Sequence, residues 1–210
     1  MDISLHAFCL IFLEGCHTEL VDGGISMVFY WLSWLAIVCF SLVDLKMNRT
    51  KRLLLWLVLV NIIFINQQLE LGSYTVTIPY LYCLVIFWAL ILLKTMTYFN
   101  YYFLLCLILS YNGLKYILII NPIWLLVDQF LIIAILFATT LVIFIRNTQE
   151  RIYLLMVACL TGEWLYAYNM KVLNWSIVLG ESELFTSLYI AIFILYLVQV
   201  ISNKSTSIHI

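Results

Sequence analysis

The chain has 210 residues, of which 66% are apolar and 10% charged, with ten basic and eleven acidic side chains. Its mean hydropathy is +1.10, whereas soluble proteins average roughly 45–50% apolar and about 25% charged residues. This composition excludes a soluble enzyme, a nucleic-acid-binding protein and a disordered protein, because a soluble domain of this length cannot bury so much apolar surface. The apolar residues suffice for about seven membrane-spanning helices of roughly 20 residues each.

The first 26 residues differ from the rest of the chain and form a predicted N-terminal extension. Its apolar stretch Ile3–Leu13 is shorter than the roughly 20 residues that a span needs, and a polar segment follows it. One interpretation is an extracytoplasmic extension with an interfacial helix. The favoured hypothesis is that residues 1–26 are not translated and the true start is Met27, because Gly23-Gly24 can be encoded by a GGAGG-type ribosome-binding site.

Seven apolar stretches follow, joined by short loops. They cover about Met27–Leu45, Leu53–Asn66, Val76–Leu93, Tyr98–Ile119, a fifth from just after Asn121-Pro122 to Ile145, Ile152–Tyr168 and Leu184–Ile201. Because helices satisfy their own backbone polar groups in lipid, we expect an all-α, polytopic membrane bundle of about seven transmembrane helices. Residues 27–201 form this domain, and residues 202–210 are a short cytoplasmic tail.

Two boundaries carry local sequence cues. Asn121 is a suitable cap for the fifth helix, and Pro122 fits its first turn. The segment Tyr111-Asn112-Gly113 interrupts the fourth apolar run. This segment permits either one long helix or a helix that ends near Ser110 and continues as a re-entrant segment.

The basic residues predict the orientation of the spans, since Lys and Arg accumulate on the cytoplasmic side. One side of the predicted bundle carries eight of them: Lys46, Arg49, Lys51, Arg52, Lys94, Arg146, Arg151 and Lys204. The other side carries Lys115 and Lys171. We therefore expect the N-terminus outside and the C-terminus in the cytoplasm, an arrangement that requires an odd number of spans.

Three ionisable residues fall inside predicted spans: Lys115 in the fourth, Asp128 early in the fifth and Glu163 in the sixth. Such residues cost roughly 2.5–3.5 kcal/mol to insert and are candidates for a functional site. Glu70 lies at a similar level, at the outer end of the second span. Tyr166 follows Glu163 by three residues and shares its helix face, so its hydroxyl is a candidate partner for the carboxylate.

These polar residues permit three arrangements. Lys115 and Asp128 can form a structural ion pair across the turn between spans four and five, which is the simplest interpretation. Alternatively, Lys115, Asp128, Glu163 and Glu70 line a pocket that opens outward, or they face the lipid headgroups. Asn61, inside the second span, is expected to make a hydrogen bond to another helix.

Catalytic and cofactor motifs are absent from the sequence. It contains no phosphate-binding loop, zinc-protease helix, nucleophile elbow or dinucleotide fingerprint. The three histidines lie outside the spans, which excludes a histidine-based metal or proton site within the bundle. We therefore expect no cofactor, no bound metal and no catalytic residues.

Three segments together resemble the YphA-type integral membrane proteins of Bacillus and its relatives. They are Tyr30-Trp31-Leu32-Ser33-Trp34, Asn121-Pro122-Ile123-Trp124-Leu125-Leu126-Val127-Asp128 and Gly162-Glu163-Trp164-Leu165-Tyr166-Ala167. The resemblance covers roughly residues 27–201 and brings no catalytic residues with it. It implies a small bacterial integral membrane protein, and Asp128 and Glu163 lie within the matching segments.

Together these observations predict a non-enzymatic, multi-pass protein of a bacterial plasma membrane. Its environment is the lipid bilayer, and the expected role is that of an accessory or partner-binding protein of the cell envelope, with another membrane protein as the candidate partner. No nucleic acid is expected to bind, and the sequence leaves the ligand unknown. The alternative is a small-solute or proton-coupled transporter that uses Glu163 and Asp128.

Overall fold

A computed structural model describes residues 24–42, 49–72, 74–94, 96–120, 128–173, 175 and 177–207. Within these ranges the chain forms seven helices and three short strands. The helices are α1 (Gly24–Leu42), α2 (Arg49–Phe64), α3 (Ile78–Leu93), α4 (Tyr98–Ile120), α5 (Gln129–Phe144), α6 (Thr148–Val172) and α7 (Ser182–Ser207). The strands are β1 (Gln68–Leu71), β2 (Tyr74–Thr77) and β3 (Val178–Leu179).

Each of the seven predicted apolar stretches overlaps one helix. The first helix begins at Gly24, ahead of Met27, and the sixth extends beyond the predicted stretch at both ends. The predicted interfacial stretch Ile3–Leu13 and the boundary at Asn121-Pro122 lie outside the described residues.

The fourth helix runs without a break through Tyr111-Asn112-Gly113 to Ile120. The long-helix alternative is therefore correct, and no re-entrant segment begins at Ser110. A glycine inside a helix costs only about 1 kcal/mol relative to alanine, so favourable packing overrides it.

Two described helical segments are long and apolar enough to cross a membrane by length and composition: Tyr98–Ile120 and Ser182–Ile201. Four further apolar segments are shorter: Met27–Val38, Leu55–Phe64, Ile78–Leu93 and Gln129–Phe144. Helix α6 has 25 residues but carries charged side chains, Glu163 among them.

Helix α6 is the centre of the bundle. Its residues Leu154–Leu160 are all buried, although successive residues of a helix point in different directions. It packs against α3, α4, α5 and α7, while α1 packs on α7 and α2 lies between α1 and α3. A helix that is apolar and buried on all sides is typical of a membrane bundle or the core of a large protein.

The outer surface of the bundle is apolar. Trp31, Leu93, Tyr98 and Ile143 are exposed over 75%, 83%, 96% and 75% of their surface. In water this much exposed apolar surface would drive aggregation, whereas in a bilayer it contacts lipid.

A small three-stranded sheet covers one end of the bundle, which we call the sheet end. Strand β2 is central, pairing antiparallel with β1 and parallel with β3, with Thr75 opposite Val178. The Thr77 hydroxyl donates to the carbonyl of Gly180 at 2.8 Å and ties the two connections together. The purely helical prediction missed this sheet because its strands have four residues or fewer and lie between the apolar stretches.

The opposite end, which we call the loop end, is held by polar contacts. Lys94 lies 3.4 Å from the carboxylate of Glu150, which also accepts a hydrogen bond from Asn100 at 3.2 Å. The guanidinium of Arg151 donates to the carbonyl oxygens of Val142 and Ile145, where α5 ends. The α3–α4 and α5–α6 connections therefore meet at this end, as expected for antiparallel neighbours.

Candidate functional site

A buried ion pair joins α4 to α6. The ammonium nitrogen of Lys115 lies 3.4 Å from Oε2 of Glu163, and the two side chains are 11% and 5% exposed. Both charged groups therefore lie inside the protein and face each other. Removing water from two charges is expensive, and their attraction compensates for this only when they stay in contact.

Tyr111 completes the arrangement, and we call Tyr111, Lys115 and Glu163 the Glu163 cluster. The Tyr111 hydroxyl donates to Oε2 of Glu163 at 2.6 Å, and the tyrosine is fully buried at 1% exposure. Tyr111 precedes Lys115 by one helical turn, so both side chains leave α4 on the same face. This spacing could have identified Tyr111 from the sequence, whereas the three-residue spacing from Glu163 indicates Tyr166 instead.

A glycine allows the close approach of the two helices. A Cβ atom on Gly162 of α6 would lie 2.7 Å from Cδ1 of Tyr111, closer than real side chains approach. The absence of a side chain at this position lets the Tyr111 ring lie against α6 and reach the next residue, Glu163.

Tyr166 lies beside the cluster but plays a different part from the one predicted. The Lys115 ammonium lies 5.4 Å from the centre of its ring, and Tyr116 packs edge-on against that ring. The hydroxyl that hydrogen-bonds Glu163 belongs to Tyr111. Tyr166 thus contributes a ring face, which attracts the cation through the ring's quadrupole.

Asp128 lies outside the helix in which it was predicted. It is the exposed N-cap residue of α5, its carbonyl accepts a hydrogen bond from the amide of Leu131 at 2.9 Å, and its side chain makes no capping bond. Lys115 pairs with Glu163 instead, because the Glu163-bearing face of α6 packs against the face of α4 that carries Lys115.

Glu70 is likewise separate from the cluster. It lies on β1, where all four residues are exposed, and it pairs across the sheet with Thr75. Of the five predicted site residues, the structure brings together Lys115, Glu163 and Tyr166, and it places Asp128 and Glu70 elsewhere.

A shallow surface depression, too narrow to enclose a water molecule, lies beside Lys115 between α4, α5 and α7. We call it the Lys115 cleft. Its polar lining includes Lys115, Gln129 and Glu183, and its apolar lining includes Phe130, Ile133 and Leu184. Gln129 and Glu183 lie in the first turns of α5 and α7, so the cleft lies toward the sheet end.

Lys115 and Glu183 line this cleft, and two further carboxylates, Glu163 and Glu181, interact with them electrostatically. Partial desolvation raises the pKa of Glu181, which directly precedes α7, and the nearby charges of Glu183 and Glu163 raise it further. The charge of Lys115 opposes this shift. The four groups are therefore electrostatically coupled at the sheet end.

A second polar network joins the helices on the other side of the bundle. The amide nitrogen of Asn61 in α2 donates to the hydroxyl oxygen of Tyr189 in α7 at 3.0 Å. The Tyr82 hydroxyl of α3 donates to the amide oxygen of Asn61. The predicted hydrogen bond from Asn61 to another helix is present and connects three helices.

Across the described residues, no group of three or more His, Cys, Asp or Glu side chains is placed to hold a metal ion. The chemistry that the site offers is a paired ammonium and carboxylate, a tyrosine hydroxyl and a small cleft with both polar and apolar walls.

The helix packing and the apolar outer surface define an integral membrane protein built as a helix bundle. A family model described as YphA-like integral membrane protein matches residues 26–209, most of the chain, and this protein belongs to that family. The resemblance noted from the sequence is thereby confirmed. No curated protein and no solved structure gives a significant match.

Proposed function

We propose that this integral membrane protein is a non-enzymatic, multi-pass accessory protein of a bacterial plasma membrane that acts by contacting another membrane protein. We further propose seven spans, with the N-terminus outside and the C-terminus in the cytoplasm. The observation that carries the functional proposal is the closed contact between Lys115 and Glu163.

The charge distribution supports the proposed orientation. Lys94 and Arg151 hold the loop end together, and Arg146 lies in the α5–α6 connection, just before the first turn of α6 that carries Arg151. Lys171 lies 4.3 Å from the centre of the Tyr74 ring at the sheet end. Because cytoplasmic ends are rich in Lys and Arg, the loop end is the proposed cytoplasmic end.

Cysteine labelling tests the orientation. Glu70→Cys marks the exposed sheet end and Gln149→Cys marks the exposed loop end, each in a background without other cysteines. A membrane-impermeant maleimide should label Glu70→Cys in intact cells and Gln149→Cys only after the membrane is permeabilised. The reverse pattern, or labelling of both in intact cells, would refute the orientation.

The packing of the Glu163 cluster supports a role without transport. A carboxylate that carries protons across a membrane must alternate between access to the two sides. Here Glu163 is 4% exposed and has two partners, Lys115 and Tyr111. Asp128, the other acid of the transporter hypothesis, is exposed at the start of α5 and is not part of the cluster. A cluster of this kind stabilises the packing of α4 on α6, so the activity is assigned to the surface of the bundle.

Complementation distinguishes the two functions. A strain lacking the gene is screened for envelope stress and solute uptake and then supplied with the wild-type chain or the Lys115→Met/Glu163→Gln double variant. If the protein acts as an accessory protein through its surface, the wild-type chain and the double variant should both rescue the strain, provided that the double variant accumulates to wild-type levels. Rescue by the wild-type chain alone would favour the transporter.

A flux measurement provides the second test. The purified protein is reconstituted into vesicles that contain a pH-sensitive dye, and a proton gradient is imposed. The gradient should decay as slowly as in protein-free vesicles. Faster decay that Glu163→Gln abolishes would contradict the proposal.

A further inference from the structure

Strand β1 forms a free edge of the small sheet. Strand β2 lies between β1 and β3, and within the described residues no strand pairs with the other side of β1. The amide of Ile78 donates to the carbonyl of Gln67 at 3.1 Å, so these two residues are a hydrogen-bonded pair that continues the β1–β2 ladder. Because such pairs alternate along an antiparallel ladder, the backbone groups of Gln68 and Glu70 point away from β2. The free edge therefore presents the N–H and C=O groups of both residues to a neighbour.

This edge is short but otherwise unprotected. Proteins usually protect an exposed edge with proline, lysine or a bulge. The four residues Gln68–Leu71 contain no proline and no lysine, and they pair with β2 in an unbroken register. All four are exposed, and in the described part of the chain the side chains of Gln68 and Glu70 make no hydrogen bond or ion pair. An edge of this kind is suited to pairing with a strand of another chain.

The two faces of β1 differ in polarity. Leu69 pairs across the ladder with Val76, which is buried in the core, so Leu69 and Leu71 lie on the face toward the bundle. They are nevertheless 44% and 52% exposed, since β1 lies at the margin of the sheet. Gln68 and Glu70 lie on the opposite face, away from the bundle. A matching strand must therefore offer apolar side chains on the bundle side and polar side chains on the other side.

A second copy of β1 meets these requirements in one antiparallel register. When Leu69 lies opposite Leu69 of the second copy, Gln68 lies opposite Glu70 on both sides of the symmetry axis. Both Gln68–Glu70 pairs are then hydrogen-bonded pairs of the new ladder, because their backbone groups are the ones that face outward. Each Gln68 amide can donate to the Glu70 carboxylate opposite it, whereas a register with Glu70 opposite Glu70 brings two like charges together. The sequence Gln-Leu-Glu is therefore complementary to itself.

The symmetry of this pairing suits two copies in one membrane. Two identical antiparallel strands are related by a two-fold axis perpendicular to their sheet. The sheet covers the end of the bundle, with Val76 facing the core and the exposed Glu70 facing away from it. The axis therefore runs along the membrane normal, and both copies insert in the same orientation.

Helix α2 offers further apolar surface beside this edge. Its contribution is needed because specific interfaces bury roughly 1,200–2,000 Å² in total, more than a pair of four-residue strands provides. The helices α2, α3 and α6 lie side by side in the same order as the strands β1, β2 and β3, so the free edge of β1 is on the outer side of α2. Trp56 and Ile63 are exposed on α2, two helical turns apart on one face.

We propose that two copies of the protein form a symmetric dimer in which their β1 strands pair antiparallel about Leu69, with Gln68 of each copy opposite Glu70 of the other. The two three-stranded sheets then form one six-stranded sheet, and the outer faces of the two α2 helices approach each other beneath it. The dimer is independent of the proposed accessory function, because it concerns only the contact between identical chains.

Disulfide cross-linking of the full-length protein tests the pairing. Leu69→Cys and Leu71→Cys are made separately in a background without other cysteines, and the membranes are oxidised with copper phenanthroline. In the proposed register the two residues 69 form a non-hydrogen-bonded pair with Cα atoms about 4.5 Å apart, within disulfide range. The Cα atoms of the two residues 71 are about 14 Å apart. Leu69→Cys should therefore give at least about fivefold more disulfide-linked dimer than the similarly exposed control Leu71→Cys.

Three results of this experiment would overturn the proposal. Equal cross-linking of the two variants would show random collisions of leucines that face lipid. The absence of cross-linking in both variants would show that the β1 strands do not meet. Stronger cross-linking of Glu70→Cys than of Leu69→Cys would show a register with Glu70 opposite Glu70.

A charge exchange tests the same register without cysteines. Gln68→Glu places two carboxylates opposite each other in both pairs and should weaken dimerisation about tenfold. Gln68→Glu/Glu70→Gln exchanges the two side chains and should restore wild-type dimerisation. Gln149→Glu is the control, because it adds the same charge at the exposed loop end.

Energy transfer between donor-labelled and acceptor-labelled copies in liposomes measures dimerisation as the protein is diluted with lipid. A wild-type protein that shows no specific energy transfer would overturn the proposal. Dimerisation that Gln68→Glu leaves unchanged, or that the exchanged double variant does not restore, would overturn it as well.

Discussion

The ammonium of Lys115 lies 3.4 Å from the carboxylate of Glu163 and links α4 to the central helix of the bundle. Neither charge would be stable alone in this environment, because an unpaired buried charge costs several kcal/mol. The pair therefore favours the one packing of α4 on α6 that brings the two groups together. Tyr111 strengthens the contact by donating to the same carboxylate oxygen at 2.6 Å.

The ion pair predicts that the losses of unfolding free energy caused by substituting Lys115 and Glu163 are strongly non-additive. Lys115→Met leaves Glu163 buried without its counter-charge and should lower the free energy of unfolding by about 3–5 kcal/mol. Lys115→Met/Glu163→Gln removes both charges and should recover most of this loss, since the glutamine can still accept from Tyr111. Unfolding in detergent micelles, followed by tryptophan fluorescence, measures Lys115→Met, Glu163→Gln and the double variant. Independent, additive losses would show that the pair contributes no coupling.

The glycine between the two helices predicts a difference between two similar substitutions. Gly162→Ala places a methyl group 2.7 Å from Tyr111 and should destabilise the protein by about 1–3 kcal/mol through overpacking. Gly113→Ala is the matched control in α4, where nothing lies within 4 Å of the new methyl group. It should be neutral or stabilising by up to about 1 kcal/mol, because alanine favours helices. Equal effects in the same thermal unfolding experiment would contradict the close approach.

The two glycines of the sheet end permit a similar comparison. Gly180 has φ +78° and Gly72 has φ +66°, so alanine is strained at both, by about 1–2 kcal/mol. A Cβ atom at Gly180 would also lie 2.3 Å from Cβ of Tyr80, whereas nothing lies within 4 Å at Gly72. Gly180→Ala should therefore lower the melting temperature clearly more than Gly72→Ala. Equal melting temperatures would show that Tyr80 does not pack against this turn.

Glu181 predicts a pH dependence of stability. Its pKa is raised above the ordinary value of 4.5, so the folded protein holds the proton more tightly than the unfolded chain. This contribution to stability is present at acidic pH and is lost as the pH rises from 4.5 through the raised pKa. Glu181→Gln should reduce this decline and stabilise the protein slightly at neutral pH, by less than about 1 kcal/mol because the side chain is exposed. Melting temperatures across a pH series test this, with Glu70→Gln as the control. Parallel curves for Glu181→Gln and wild type would contradict the assignment.

The sequence alone determined the positions of the seven helices. Long apolar runs are incompatible with water, and in lipid they form helices because only helices satisfy their own backbone groups within one segment. The same sequence identified Lys115 and Glu163 as candidates, because an ionisable residue within such a run is expensive and therefore uncommon. These conclusions depend on residue type and order, which need no knowledge of the packing.

Only the tertiary structure decided which groups meet. Asp128 is close to Lys115 in the sequence, yet Lys115 pairs with Glu163. The rotation and packing of α4 on α6 determine this contact. The sheet has the same origin, since β2 and β3 belong to connections far apart in the chain and pair only after the bundle assembles. A polar side chain in a helix has several possible neighbours, and close packing of whole helices selects among them. That selection depends on the shapes of many distant residues together, which local sequence patterns do not contain.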